Sequence, residues 1–141
     1  MMKITARGQT DVGMKRDHNE DAILAVPDHG MFVVADGVGG RAAGEVASAL
    51  AIEMFRAAAA EIAAVVTRYA QNPEWSARNE VLEALDEVCQ QASQRVYEEA
   101  ETGGHKGMTT TLVATVVGGG AAFVAHVGDS RAWLVRDGLI R

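Results

Sequence analysis

The hydrophobic period changes twice along this chain, and that change limits its architecture more than any single residue does. Residues 3–8, 22–26 and 31–35 are short runs rich in apolar and β-favouring types, bounded by the turn signals DVG, PDHG and DGVGG. From about Arg41 to Ala70 the apolar residues Ile52, Phe55, Ala59, Ile62 and Val66 recur at spacings of three and four, which is one face of a long helix. Asn72-Pro73 predicts its stop and the start of a second helix: asparagine caps, and proline suits the first helical position because its missing N–H has no partner there. Val81, Leu85, Val88, Ala92 and Val96 give that second helix a buried stripe, which ends in the loop TGGHKG. The period then returns to two in MTTTLVATVV, AAFVAHVG and RAWLVR. Strands, two long helices and strands again predict an α/β (α+β) layered sandwich of antiparallel sheet with helices packed on it.

Length and composition set the class. The 141 residues, 48% hydrophobic and without an apolar run of membrane-spanning length, predict one globular domain over residues 1–141 and no membrane partner. The start, MMKITARGQT, has no apolar stretch of the kind that marks a chain for export. A single cysteine, Cys89, excludes an internal disulfide framework and fits a cytoplasmic location. The formal net charge of -6 argues against nucleic acid as a partner, because such binding needs a basic footprint. The end of the chain, WLVR-DG-LIR, reads as a hairpin on Asp137-Gly138 whose second arm stops after three residues. A finished domain rarely leaves such an arm unpaired, so the sequence predicts a domain truncated at its C-terminal end.

Chemistry concentrates at three acidic turns. In MFVVADGVGG an apolar strand runs into Asp36, where a rigid element would hold the carboxylate at a sheet edge. Gly37 lets a ligand approach the backbone, and Gly39-Gly40 let the chain turn into the helix. Taken alone the motif reads more readily as a plain Asp-Gly turn. Arg16-Asp17-His18-Asn19-Glu20-Asp21 sets a guanidinium and two adjacent acids before the strand expected to pair with the one ending at Asp36. Asp129, in HVGDSRAW, again follows an apolar strand and a glycine. Crowded carboxylates are relieved by water or a cation, and hard cations such as Mg²⁺ and Mn²⁺ prefer oxygen ligands. The competing reading is three independent solvated turns.

RDHNEDA, FVVADGVGG, GMTTTLVA and VAHVGDSRAWL, in that order with two helices between the second and third, resemble the bacterial form of the PPM (type-2C) metal-dependent protein serine/threonine phosphatases. The resemblance runs from about residue 6 to the end of the chain. It implies a central antiparallel β-sandwich flanked by helices, a four-layer αββα arrangement that is incomplete here at the C-terminus. It also implies two Mn²⁺ or Mg²⁺ ions, with a third, weaker site, and a metal-bridging water that attacks the phosphorus of phosphoserine or phosphothreonine. By position, Asp36 resembles the carboxylate that bridges both ions and Gly37 the residue whose carbonyl binds one of them. Glu20 and Asp21 match the acidic pair, Arg16 the phosphate-binding arginine and Asp129 the aspartate of the third ion. The implied partners are a phosphorylated protein and a serine/threonine kinase or its targets.

This chain departs from the family pattern at several points. Val38 stands where many eukaryotic relatives have a histidine, so no protein general acid is assigned. Thr109 replaces a glycine usual in the third motif. The remaining metal aspartates of the family lie in later motifs that the chain does not reach, which implies a partial coordination shell and little turnover by this chain alone. Cys89 and Arg95 have the Cys-x5-Arg spacing of cysteine-dependent phosphatases, but the heptad sits inside a helical pattern rather than in a phosphate-wrapping loop. Ser130 has no His and Asp in recognisable relation to it. His18, His29, His105 and His126 read as surface or hydrogen-bonded residues, since the expected site is built of oxygen. A second function class is a catalytically inactive, phosphatase-like binding or regulatory module.

Overall fold

The computed structural model of the chain describes residues 3–40 and 43–140. Seven strands and two long helices follow in the order β1 (Asp21–Val26), β2 (Met31–Val38), α1 (Ala43–Gln71), α2 (Trp75–Thr102), β3 (Thr109–Thr110), β4 (Leu112–Gly118), β5 (Ala121–Val127), β6 (Val135–Arg136) and β7 (Leu139–Ile140). β1 and β2 form an antiparallel hairpin whose register runs from Asp21↔Asp36 to Val26↔Met31. A single 3-10 turn, Pro27–His29, joins them and is closed by Gly30 at φ 62°, which glycine adopts without strain. The sheet order is β1-β2-β4-β5, with β3 also on β2, and every pairing is antiparallel.

Alternate residues of each strand face the helices. Met31, Val33 and Ala35 of β2 and Ala114 and Val116 of β4 are buried, and they meet Phe55 and Ile62 of α1 and Val81 and Leu85 of α2. The helical spacings thus mark the true core faces: all ten stripe residues expected of the two helices are buried. Fully burying a side chain such as Phe55 or Leu85 contributes about 1.5–3 kcal/mol, so this face carries most of the fold. Arg68 and Glu80 join α1 to α2 through a 2.9 Å ion pair.

The α+β class expected from the sequence is present, and the described residues build two layers of it, one helical and one of sheet. The second face of the sheet is also apolar, with Val34 and Val124 at 46% and 44% exposure. Such a two-faced pattern belongs to sheets covered on both sides.

Four local expectations are corrected. Residues 3–8 form no strand. The segment lies instead across β1, where a Cβ built on Gly8 would stand 2.9 Å from Ile23 Cγ2, and a run that packs on a face rather than along an edge makes no ladder. β2 does not end before Asp36 but continues through Asp36, Gly37 and Val38, because Thr110 and Thr109 pair with its last two residues. The second helix starts two residues later than the Pro73 expectation, with Glu74 as its N-cap and no side-chain capping hydrogen bond. Of RAWLVR only Val135–Arg136 is strand, since Ala132, Trp133 and Leu134 lie over Val124 and His126 on the second face of the sheet. The hairpin on Asp137-Gly138 is present, with positive φ at both residues (54° and 74°). Arg41, the expected helix start, and Arg141, the last residue of the second arm, fall outside the described residues.

Candidate metal centre

The site is built at the end of the sheet where β1 begins. Strand alternation decides which side chains meet there. Asp21 and Asp36 are opposite each other, on the face away from the helices. Desolvation at the sheet end, then the charge and carboxyl group of Asp21 and the charge of Asp129, hold the Asp36 carboxyl above its ordinary range, with Arg16 acting in the opposite sense. Asp129 follows Gly128, whose φ of 90° turns the chain at the end of β5. The structure therefore sets Asp21 and Asp36 side by side, with Asp129 and Arg16 near enough for their charges to act on Asp36.

Glu20 behaves differently from its neighbour Asp21. Its backbone carbonyl accepts a hydrogen bond from Gly37 N–H at 3.0 Å, and its carboxylate is turned to the helix side. There Oε1 would stand 2.5 Å from a Cβ built on Gly44, in the first turn of α1. Its Oε2 accepts a hydrogen bond from Arg16 Nη1 at 3.1 Å, an ion pair in which Glu20 is 15% exposed and Arg16 67%. The two adjacent acids thus do not crowd each other as the sequence suggested.

Gly37 has a second reason for being glycine. A Cβ there would run into the carbonyl oxygen of Gly44 and come within 2.7 Å of the Glu20 carbonyl oxygen. The absent side chain lets the first turn of α1 sit against β2. Sequence reasoning also missed the residues that hold Asp21. Thr10 Oγ1 donates to Asp21 Oδ2 at 2.9 Å, Asn19 Nδ2 donates to Thr10 Oγ1 at 2.9 Å, and Asn19 Oδ1 accepts from Asp21 N–H at 3.0 Å. Asn-x-Asp before a strand is the signal that would have found part of this, as an Asx turn.

The donor set is all oxygen and acidic, which suits a hard divalent cation. A cation would also relieve the charge of Asp21 on Asp36, so the residues present fit such an ion. Among the described residues no three His, Cys, Asp or Glu groups stand close enough to hold a metal by themselves. The chain therefore supplies part of a coordination shell. The Cys-x5-Arg spacing is not a phosphate loop: Cys89 and Arg95 both lie inside α2, Arg95 pairs with Glu99 at 3.2 Å, and burial pushes the Cys89 thiol up. No helix among the described residues is long and apolar enough to cross a membrane.

The chain is thus an antiparallel sheet with helices on one face and two opposed acids at one end. The chain belongs to the protein phosphatase 2C family, whose pattern it matches over residues 13–140. It is similar to the serine/threonine phosphatase stp of Listeria welshimeri, with 35% identity over 139 residues that cover 96% of this chain and 52% of that protein. Among solved structures it is similar to the Mycobacterium tuberculosis serine/threonine phosphatase PstP/Ppp, with a TM-score of 0.73, 30% identity, and 94% of this chain and 50% of that one covered. It is equally similar to the catalytic domain of the serine/threonine protein phosphatase PstP in complex with two manganese ions, with a TM-score of 0.73, 31% identity, and coverage of 94% and 51%. The chain spans about half the length of these relatives.

Proposed function

We propose that the chain is the amino-terminal part of a cytoplasmic protein serine/threonine phosphatase that hydrolyses phosphoserine and phosphothreonine in proteins with Mn²⁺ or Mg²⁺. The observation that carries this reading is the register pair Asp21↔Asp36, which sets two acids opposite each other at the end of the sheet, with the charges of Arg16 and Asp129 near enough to act on Asp36. Asp36, Asp21 and the carbonyl of Gly37 would hold two ions, and Asp129 a third, weaker one. When bound, such ions supply Lewis acidity that lowers the pKa of a water and neutralises charge on phosphoryl oxygens.

The chain's own residues would do the rest. Asp21, braced by Thr10 and Asn19, and Asp36, fixed in the β2 ladder, would keep the ions at a constant spacing. Arg16 is bound to Glu20 through one nitrogen only, so its remaining N–H donors face solvent and would take two phosphate oxygens of the substrate. Glu20 would orient that arginine in addition to any part it takes in metal binding. No protein side chain is assigned as general acid, since Val38 occupies the position next to Gly37.

The second reading, a phosphatase-like module that holds a phosphoprotein or a kinase without hydrolysis, draws on the incomplete donor shell of the described residues. The two are separated by Mn²⁺-dependent hydrolysis of a phosphothreonine peptide, with EDTA as control, by this chain beside a version extended through the downstream reading frame. Activity in the extended chain alone is the expected result. Activity in neither would overturn the enzyme reading and leave the regulatory one.

A further inference from the structure

Thr111 lies opposite Asp36, between the pairs Gly37↔Thr110 and Val34↔Val113. A regular antiparallel pair at this point exchanges two backbone hydrogen bonds. Here only one is made: Thr111 N–H donates to the Asp36 carbonyl at 2.9 Å. The other is replaced by side chains. Asp36 N–H donates to Thr111 Oγ1 at 3.3 Å, and the Thr111 carbonyl accepts the Thr110 hydroxyl at 2.9 Å.

The same Thr111 Oγ1 stands 2.6 Å from Ser130 Oγ, on the residue after Asp129. The turn that carries Asp129 is also closed over Thr111, for a Cβ on Gly128 would lie 3.0 Å from Thr111 Cγ2. One hydroxyl therefore touches both the backbone of Asp36 and the turn of Asp129, two acids that come from different strands and lie far apart in sequence.

We propose that Thr111 is a positioning residue of the carboxylate site: its hydroxyl, relayed through Ser130, fixes the placement of Asp36 relative to Asp129. The proposal rests on the metal-binding reading above. It gives Ser130 a role as a brace, which its sequence context did not suggest, and it explains why the ladder is irregular beside the acid that most needs a fixed position. Partners that orient ligating groups typically change metal affinity by about 10–100-fold when removed.

The test compares Thr111→Val, which keeps the branched shape without the hydroxyl, with Thr111→Ser, which keeps the hydroxyl, and with Ser130→Ala. Mn²⁺ affinity is read by EPR of the free ion, and exchange of the Asp36 amide by NMR without metal. Thr111→Val should weaken Mn²⁺ binding by about tenfold or more and speed exchange at Asp36. Thr111→Ser should restore both, and Ser130→Ala should weaken Mn²⁺ binding while leaving Asp36 exchange slow. Wild-type Mn²⁺ affinity in Thr111→Val overturns the proposal. If Thr111→Val does not fold, unchanged Mn²⁺ affinity in Ser130→Ala overturns it instead. If the unsubstituted chain binds no Mn²⁺, the affinities are read on the chain extended through the downstream reading frame; if that too binds none, it is the metal reading that fails, and the brace then stands or falls on whether Asp36 exchange changes in Thr111→Val.

Discussion

Gly37→Ala separates two explanations of one glycine. If the residue is glycine only so that an ion can reach its carbonyl, the methyl group would be harmless without metal. The structure says otherwise, because the added Cβ meets the Gly44 carbonyl oxygen and stands 2.7 Å from the Glu20 carbonyl oxygen. Both obstacles are backbone atoms and cannot rotate away, so the first turn of α1 must lift from β2. Overpacking of this kind costs about 1–3 kcal/mol, and rigid obstacles favour the upper end of that range. For a chain of 141 residues, with an unfolding entropy of about 2.1 cal/mol/K per residue, a loss of 2–3 kcal/mol lowers Tm by about 7–10 °C. The assay is thermal unfolding followed by circular dichroism, with EDTA and with Mn²⁺. The expected result is a lower Tm in EDTA, before any ion is present. An unchanged Tm in EDTA, with loss only of a Mn²⁺-dependent increment, would refute the packing argument and return Gly37 to the metal alone.

Two further substitutions probe the rim. Asp36→Asn should abolish Mn²⁺ binding and yet stabilise the metal-free chain near neutral pH, as read by Tm against pH in EDTA. Because the folded carboxyl is raised above 3.8, the folded state holds its proton more tightly than the unfolded one. Wild-type stability therefore falls as pH rises above that value, and the advantage of the Asn variant should vanish below it; an advantage that persists in acid would disprove the assignment. Arg16→Ala, in an active extended chain, should raise KM for a phosphopeptide more than it lowers kcat if, as proposed, the exposed guanidinium pairs with ground-state phosphate. An unchanged KM would make Arg16 a structural partner of Glu20.

Much of the architecture could be read from the sequence because periodicity reports burial directly. The stripes of both helices, the turn at Pro27–Gly30 and the Asp137-Gly138 hairpin all depend on local chemistry. Features set by distant partners could not be read. Lys3–Gly8 looks like a strand, but none of the described residues pairs with it. Asp36-Gly37 looks like a strand end, yet Thr110, far along the chain, prolongs the ladder through it. Asn72 is a better intrinsic cap than Glu74, but the loop between the helices places Glu74 at the start of α2. At the site, the motifs located Asp21, Asp36, Asp129 and Arg16, while the divergence of Glu20 from Asp21 needed only the two-residue period of a strand. Thr111 was hidden in a run of three threonines that reads as ordinary β-propensity.

The β1–β2 hairpin also works as a gauge. The spacing of the two acids at its open end is calibrated by the number of residues in the turn at its closed end, five residue steps and about 17 Å away. Adding or removing one residue between Val26 and Met31 would shift the ladder by one place and send either acid to the opposite face. The turn is therefore constrained in length, and at Gly30 in composition as well, because its positive φ and the Val117 carbonyl oxygen leave no room for a Cβ; a change of length there would disturb the acid pair without touching either acid.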